Sequence, residues 1–427
     1  MWDLLILTAM DEGQKLAYEM ELRELKIESF RNWIVVMDEP KAAKIGSGGS
    51  TFLCLRHLRR RYGKFDALKI LVVHSGGFSQ RLPIASPLGK AFLTFPNGRS
   101  MIEMKLASYE KVEEKLNHGI VICSSDTLEH FAPTFEFAIE DSSEVVLFGH
   151  HSKIEVAEQH GVYILDGNDA LQRVLQKPSR REMNANGALR NGGDCAITDS
   201  FFIIRGQSLI ASLLELADSF ASEPPKSEIC CYGDFLRPLG SEALTDYIAS
   251  TVDPDLKRWR ALLKKTFDSR NVQTIVLPGD ETFFHFGTTS EFAEHMSGGS
   301  AFATYFRVEA NKVSYSRVNR ETFQIAPTSS VEYCSIEGGA EISENCFISN
   351  IKTAQHSFIT IPRNTTIITI PIHSCLFVTV AFETNKNLKE TTNKWFGHEL
   401  GNAAVLWDVK LFKVMICKIK MHLKCLG

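Results

Sequence analysis

The residues with the clearest chemical purpose lie in one stretch, His74-Ser-Gly-Gly-Phe-Ser-Gln-Arg-Leu-Pro83, followed by Leu88-Gly-Lys90. The apolar run Ile70-Leu-Val-Val73 leads into two glycines, then Arg81, then Lys90 nine residues later. Gly76 and Gly77 lack side chains, so their backbone N–H groups can come close to phosphate oxygens. Arg81 can grip a phosphate through two N–H groups, and Lys90 is a mobile point charge for a neighbouring one. The combination points to phosphate chemistry. It is neither a P-loop, since G-x-x-x-x-G-K-[ST] is absent, nor the dinucleotide G-x-G-x-x-G. The alternative is a strand–turn–helix with surface cations.

Other residues are less specific. Gly46-Ser-Gly-Gly-Ser-Thr51 reads as a glycine-rich turn leading into a helix from Phe52. On residue types alone, Asp126 before Thr127-Leu-Glu129 reads as a helix N-cap. Lys177, before Pro178, reads as a loop lysine and Asp234 as a turn aspartate. Asp199 precedes a strand at 201–204. The 13 histidines form no metal-ligand pattern; His150-His151 reads as a turn and His160 as a strand-edge residue. Arg59-Arg-Arg61 reads as a solvated helix end.

To position these groups, the apolar periodicity predicts helices over 11–30, 52–61, 100–117 and 208–220, and strands over 33–37, 70–74, 120–123, 145–148 and 161–165. Alternating strands and helices predict a mainly parallel α/β sheet to about residue 300. Beyond 318 the grammar changes. Val331, Ile336, Ile342 and Ile348 recur about every six residues, as in a β-helix coil or, alternatively, a β-meander. Cys375 to Phe382 reads as a buried strand, and the lysine-alternating end, Lys413 to Gly427, as an edge strand or frayed tail.

The chain has 427 residues, enough for two or three domains and a substantial core. A net charge of −4 excludes a chain-wide basic balance for nonspecific nucleic-acid binding. The ten cysteines contain no C-x-x-C pair, which excludes a zinc ribbon; reduced, buried thiols in a cytoplasmic protein are expected. Asp3 and the lack of a basic flank argue against a signal peptide, and no stretch approaches a membrane helix of about 20 apolar residues.

The loop resembles the signature of sugar-nucleotide pyrophosphorylases, G-G-x-x-x-R-L followed by a lysine. Its fuller form, S-G-G-F-S-Q-R-L-P-x-x-S-x-L-G-K, is similar to the fucose-1-phosphate guanylyltransferase family. Ile45-Gly-Ser-Gly-Gly-Ser-Thr51, His160-Gly-Val-Tyr-Ile-Leu-Asp166, Gln176-Lys-Pro178, Tyr232-Gly-Asp-Phe-Leu236 and Phe284-His-Phe-Gly-Thr288 resemble further family segments. Cys230 and Cys231 stand where the family carries an acidic residue, and the end from Lys413 departs from it. The resemblance implies a Rossmann-like α/β nucleotidyltransferase domain over 1–317 and a smaller β-helix-like domain over 318–427, cut short. It implies GTP and L-fucose 1-phosphate as substrates, Mg²⁺ as cofactor, and no nucleic-acid or membrane partner. Arg81 and Lys90 become catalytic; Gly76, Gly77, Ser79, Gly48 and Gly49 nucleotide-binding; Lys177 and Asp234 sugar-phosphate-binding; and Asp126 a metal ligand. Rival readings are a catalytically impaired nucleotide-binding form, a pyrophosphorylase for another sugar phosphate, and a hexapeptide acyltransferase.

Overall fold

The computed structural model describes residues 1–409 apart from 26, 42, 87, 280, 298, 309–312 and 374–375. The expectations for Cys375 and for the Lys413–Gly427 tail lie outside the described residues. The chain divides into two compact units, Met1–Phe78 with Leu88–His285, and Ser79–Pro87 with Phe286 onward.

The first unit is built on a largely parallel sheet. Its strands are β1 (Leu4–Ala9), β2 (Trp33–Met37), β3 (Lys69–His74), β4 (Gly119–Ser124), β6 (Val145–Lys153), β9 (Cys195–Ile204) and β10 (Val272–Leu277), in the order β10-β6-β9-β4-β3-β1-β2. A short strand β5 (Thr127–Glu129) follows β4; β7 (Gly161–Leu165) and β8 (Leu171–Gln176) form a hairpin that touches β9 through β7. Pairing is parallel from β2 through β1, β3 and β4, and again between β10 and β6, whereas β9 runs antiparallel to both its neighbours. Strands buried on both faces need continuous apolar runs, and Leu4–Ala9 and Ile70–Val73 supply them. Alternate residues serve opposite faces. Leu5, Leu7, Leu71 and Val73 pack with Tyr18 and Leu22 of the helix Glu12–Glu24 and with Ile102 and Leu106 of the helix Met101–Ser108. Leu4, Ile6, Ile70 and Val72 pack with Phe52, Leu55 and Leu58 of the helix Gly46–Tyr62 and with Leu213 and Trp259. Each such buried side chain contributes roughly 1.5–3 kcal/mol.

Several local expectations change. The segment Gly46–Thr51 is not a loop; the helix begins at Gly46 and runs to Tyr62. The glycines are there for close packing. A Cβ on Gly48 would lie 2.6 Å from Ile229 Cγ2 and 2.9 Å from its carbonyl oxygen, and one on Gly49 would meet Ile45 and Phe220. The helix expected over 100–117 breaks at Tyr109 into Met101–Ser108 and Glu110–Lys115. His150 and His151 lie inside β6 rather than in a turn, and Asp199 lies within β9.

In the second unit, short strands form parallel ladders. Val313–Ser314, Ser330–Glu332, Phe347–Ser349 and Thr365–His373 stack in one; Phe323–Ile325, Ala340–Ile342 and Ile359–Ile361 in another; Arg317–Val318 and Ser335–Ile336 in a third. Val331, Ile336, Ile342 and Ile348, the residues of the six-residue period, are buried together in one cluster. A meander would pair its strands antiparallel. Only the last hairpins, Thr365–His373 with Leu376–Glu383 and Thr391–Trp395 with His398–Val405, do so among the described residues of this unit. The strand that was expected to be buried has an exposed Phe377 and a buried Phe382, so it covers the ladder on one face only.

The glycine packing is testable. In a helix, Gly→Ala normally stabilises by about 0.5–1 kcal/mol. At exposed Gly13, where an added Cβ meets only Asp11 at 3.4 Å, urea unfolding should show that gain. At Gly48 the clash with Ile229 should reverse the sign and cost about 1–3 kcal/mol.

Candidate active site

In an open α/β sheet the crevice for a ligand lies beyond the strands' carboxyl ends, where successive connections leave in opposite directions. Here β1 is followed by β2 on one side, and the chain then crosses back to place β3 on the other. The glycine loop begins at the carboxyl end of β3. A Cβ on Gly76 would lie 3.2 Å from the Met10 nitrogen and 3.3 Å from the Ala9 carbonyl carbon, so the loop lies against the end of β1. His74 and Ser124 are the last paired residues of β3 and β4. Gly76 and Asp126 therefore stand two residues beyond the same rung, on strands about 4.8 Å apart. Ser125 N–H donates to the His74 carbonyl at 3.0 Å and ties the two ends together.

Asp126 is the electrostatic centre. Lys90 Nζ lies 2.8 Å from its Oδ2, His285 Nε2 lies 3.5 Å from the same oxygen, and Ser124 Oγ donates to Oδ1. The carboxylate is only 16% exposed. Burial alone would raise its pKa, but the Lys90 ammonium and His285 outweigh that and hold it well below the usual carboxylate range. The N-cap reading fails, because Asp126 leads into the strand β5 and not into a helix. His285 reaches Asp126 because β11 (Phe283–His285) pairs antiparallel to β5, with His285 opposite Thr127. Nothing in residue spacing announced His285; its signal was its place in the Phe284–Thr288 segment.

The remaining candidates have settings of their own. Ser79 and Arg81 belong to the second unit, where the Arg81 carbonyl accepts from Thr289 N–H at 2.9 Å at the start of the helix Thr289–His295. Lys177 is exposed, with φ +48°, and its N–H donates to the His160 carbonyl. Asp234 is buried and committed to structure: Arg260 Nε lies 2.7 Å from one oxygen, and Cys230 N–H donates to the other at 2.8 Å. Gly48 and Gly49 are buried in the helix Gly46–Tyr62. Among the described residues, no group of three or more His, Cys, Asp or Glu side chains could hold a metal.

Asp199 is a buried acid of a different kind. It accepts from Gly161 N–H at 3.1 Å, yet burial pushes its carboxyl up to about 7, with the Gly161 bond and the Lys177 charge pulling the other way. Between about pH 4 and 7 the folded chain therefore holds a proton that the unfolded chain has lost, so stability falls as pH rises through that window. In Asp199→Asn this slope should flatten, a difference of up to roughly 2–4 kcal/mol between the ends, read from urea midpoints across pH.

The geometry joins backbone amides, a lysine and an ionised carboxylate at the point where an α/β sheet receives phosphates. Sequence comparison gives the same direction. A family model described as the fucose pyrophosphorylase domain matches residues 63–415. The fucose-1-phosphate guanylyltransferases of Homo sapiens and Mus musculus are each 29% identical to this chain, over 96% and 99% of it and 78% and 82% of their own lengths. The bifunctional fucokinase/GDP-fucose pyrophosphorylase of Arabidopsis thaliana is 26% identical over 70% of this chain and 32% of its own. With the signature loop, its lysine and Asp126 all inside the matched region, the chain belongs to the fucose pyrophosphorylase family.

Proposed function

We propose that this chain forms GDP-L-fucose and pyrophosphate from GTP and L-fucose 1-phosphate. The observation that carries the reading is the glycine loop beside the Lys90–Asp126 pair, at the reversal of strand order, in a chain akin along nearly its whole length to enzymes named for that activity. A phosphate oxygen of the sugar phosphate attacks the α-phosphorus of GTP. The new P–O bond forms as the bond to the β-phosphate oxygen breaks, and pyrophosphate leaves with that electron pair. The attacking oxygen is already anionic, so no general base is required. The task is to bring anions together and stabilise developing charge.

In this reading the Gly76 and Gly77 amides and Ser79 receive phosphate oxygens. Arg81 holds the departing β- and γ-phosphates, Lys90 stabilises charge at the α-phosphate, and Lys177 neutralises the sugar phosphate. Gly48 and Gly49 serve packing, and Asp234 holds its turn through Arg260. A single ionised carboxylate at a strand's end suits Mg²⁺, which takes few protein ligands beside phosphate and water. Asp126 would hold it, and the ion would neutralise phosphate charge. Before substrates bind, Asp126 and Lys90 balance each other's charge across 2.8 Å. We read the sheet as Rossmann-like and the domain from 318 onward as a β-helix, on the strength of its stacked parallel ladders. No described helix is long and apolar enough to cross a membrane; reduced thiols and a nucleotide substrate fit the cytoplasm.

Pyrophosphate release across a grid of nucleoside triphosphates and sugar phosphates tests the reading: activity should peak with GTP and L-fucose 1-phosphate, and a peak elsewhere would overturn it. Arg81→Ala should lower turnover about a hundredfold, equivalent to about 3 kcal/mol of barrier, with its unfolding midpoint unchanged. Lys90→Ala should lose as much activity and also stability, since it strands the Asp126 charge; equal turnover in both variants and wild type would remove the loop from the chemistry. Asp126→Asn keeps the shape but not the charge, so the Mg²⁺ activation curve at fixed GTP should move to higher concentration.

A further inference from the structure

Three residues ahead of the matched region, Thr8, Gln14 and Tyr18, converge on the glycine loop. Asp11 caps the helix Glu12–Glu24, and Gln14 and Tyr18 sit one turn apart on one face of it. Tyr18 is fully buried, its ring 5.3 Å from that of Phe92, and its hydroxyl donates to the Ser75 carbonyl at 2.8 Å. Gln14 Nε2 donates to the Gly77 carbonyl at 3.1 Å, while its Oε1 accepts from Met10 N–H at 2.9 Å. Thr8 Oγ1 accepts from Ser75 N–H at 3.1 Å.

The bonds differ in quality along the loop. The carbonyls of Ser75 and Gly77 are held at ordinary hydrogen-bond lengths. The amides of Gly76 and Gly77 make only long contacts of 3.4 Å, to Thr8 Oγ1 and Gln14 Oε1. The loop is thus fastened by its oxygens, and its nitrogens are the weakly committed groups. Tyr18 also reaches the far side of the motif. Gly89 has φ +71°, and a Cβ there would lie 2.0 Å from the Tyr18 hydroxyl. Only glycine fits, and the next residue is Lys90. One phenol therefore fixes the chain just before it leaves the first unit at Phe78 and just after it returns at Leu88. Burial, and secondarily the Asp11 carboxylate, push the phenol's pKa up, so it remains a donor.

We infer that Gln14 and Tyr18 are positioning residues for the reaction: they hold the peptide oxygens of Ser75 and Gly77 and the turn at Gly89, so that the loop amides and Lys90 are preset before a nucleotide arrives. This rests on the function proposed above and extends it to the segment preceding the matched region. Preset donors cost no reorganisation when charge develops, which places the effect in turnover and not in ground-state affinity for the sugar phosphate.

The test uses the full chain with Tyr18→Phe, which removes one hydroxyl and keeps the ring, and Gln14→Ala at a half-exposed site. Each should lower kcat about tenfold, with KM for L-fucose 1-phosphate within about twofold and the melting temperature unchanged. The double variant should lose less than the product of the two, because both act on one loop. Leu16→Ala, exposed on the same helix, should match wild type. Amide hydrogen exchange of the peptide covering 72–90 should quicken in both loop variants. Unchanged kcat in both, or a loss of kcat that tracks a loss of melting temperature, would overturn the inference. If wild type itself makes no GDP-L-fucose, the proposed function fails, and exchange alone then decides: quicker exchange sustains the brace, unchanged exchange rejects it.

Discussion

A phosphate held by peptide N–H groups is held by a backbone that has no side chain of its own to steady it. Glycine makes the approach possible and at the same time removes local stiffness. In the function proposed above, the surroundings of Gly76 and Gly77 answer that constraint. The end of β1 lies beneath the loop, the end of β4 beside it, and helix residues reach it from the segment between β1 and β2. The parallel order β4-β3-β1 is what lets three carboxyl ends meet at one place.

Charge is arranged with similar economy. Lys90 and Asp126 come from separate segments, and neither would be stable in its half-buried position without the other. His285 adds a third member from a strand far along the chain. Lys90 and His285 hold the Asp126 carboxyl well below the usual carboxylate range, and in the proposed reaction a polyanionic substrate and a divalent ion would each meet the opposite charge here. Asp199 shows the contrasting case: with one amide and a more distant lysine, burial wins and the acid holds its proton into the neutral range. The same side-chain type thus behaves differently at neighbouring strands because of its partners.

Much of this was legible in the residues, and the exceptions have physical causes. Long apolar runs such as Ile70–Val73 announce buried strands, since little else buries four such residues in succession. The period of Val331, Ile336, Ile342 and Ile348 was legible because stacked strands must return to one core. The Gly46–Thr51 segment misled because glycine disfavours helix intrinsically, whereas here Ile229 presses so close that only glycine leaves room. His150 and His151 misled because polar residues inside a strand leave no mark of their own in hydropathy. Thr8, Gln14 and Tyr18 carried no signal at all. Their role arises from contacts more than fifty residues away in sequence, which no local pattern encodes.

The second unit is not one continuous piece of chain. It takes Ser79–Pro87 from the middle of the signature segment and the rest from Phe286 onward. A gene fragment ending near 285 would therefore carry a nine-residue stretch whose companions had been left out, and a fragment starting near 286 would lack its own first segment. No single cut in the polypeptide can deliver both units whole. The motif that reads as one phrase in the sequence therefore supplies residues to both units.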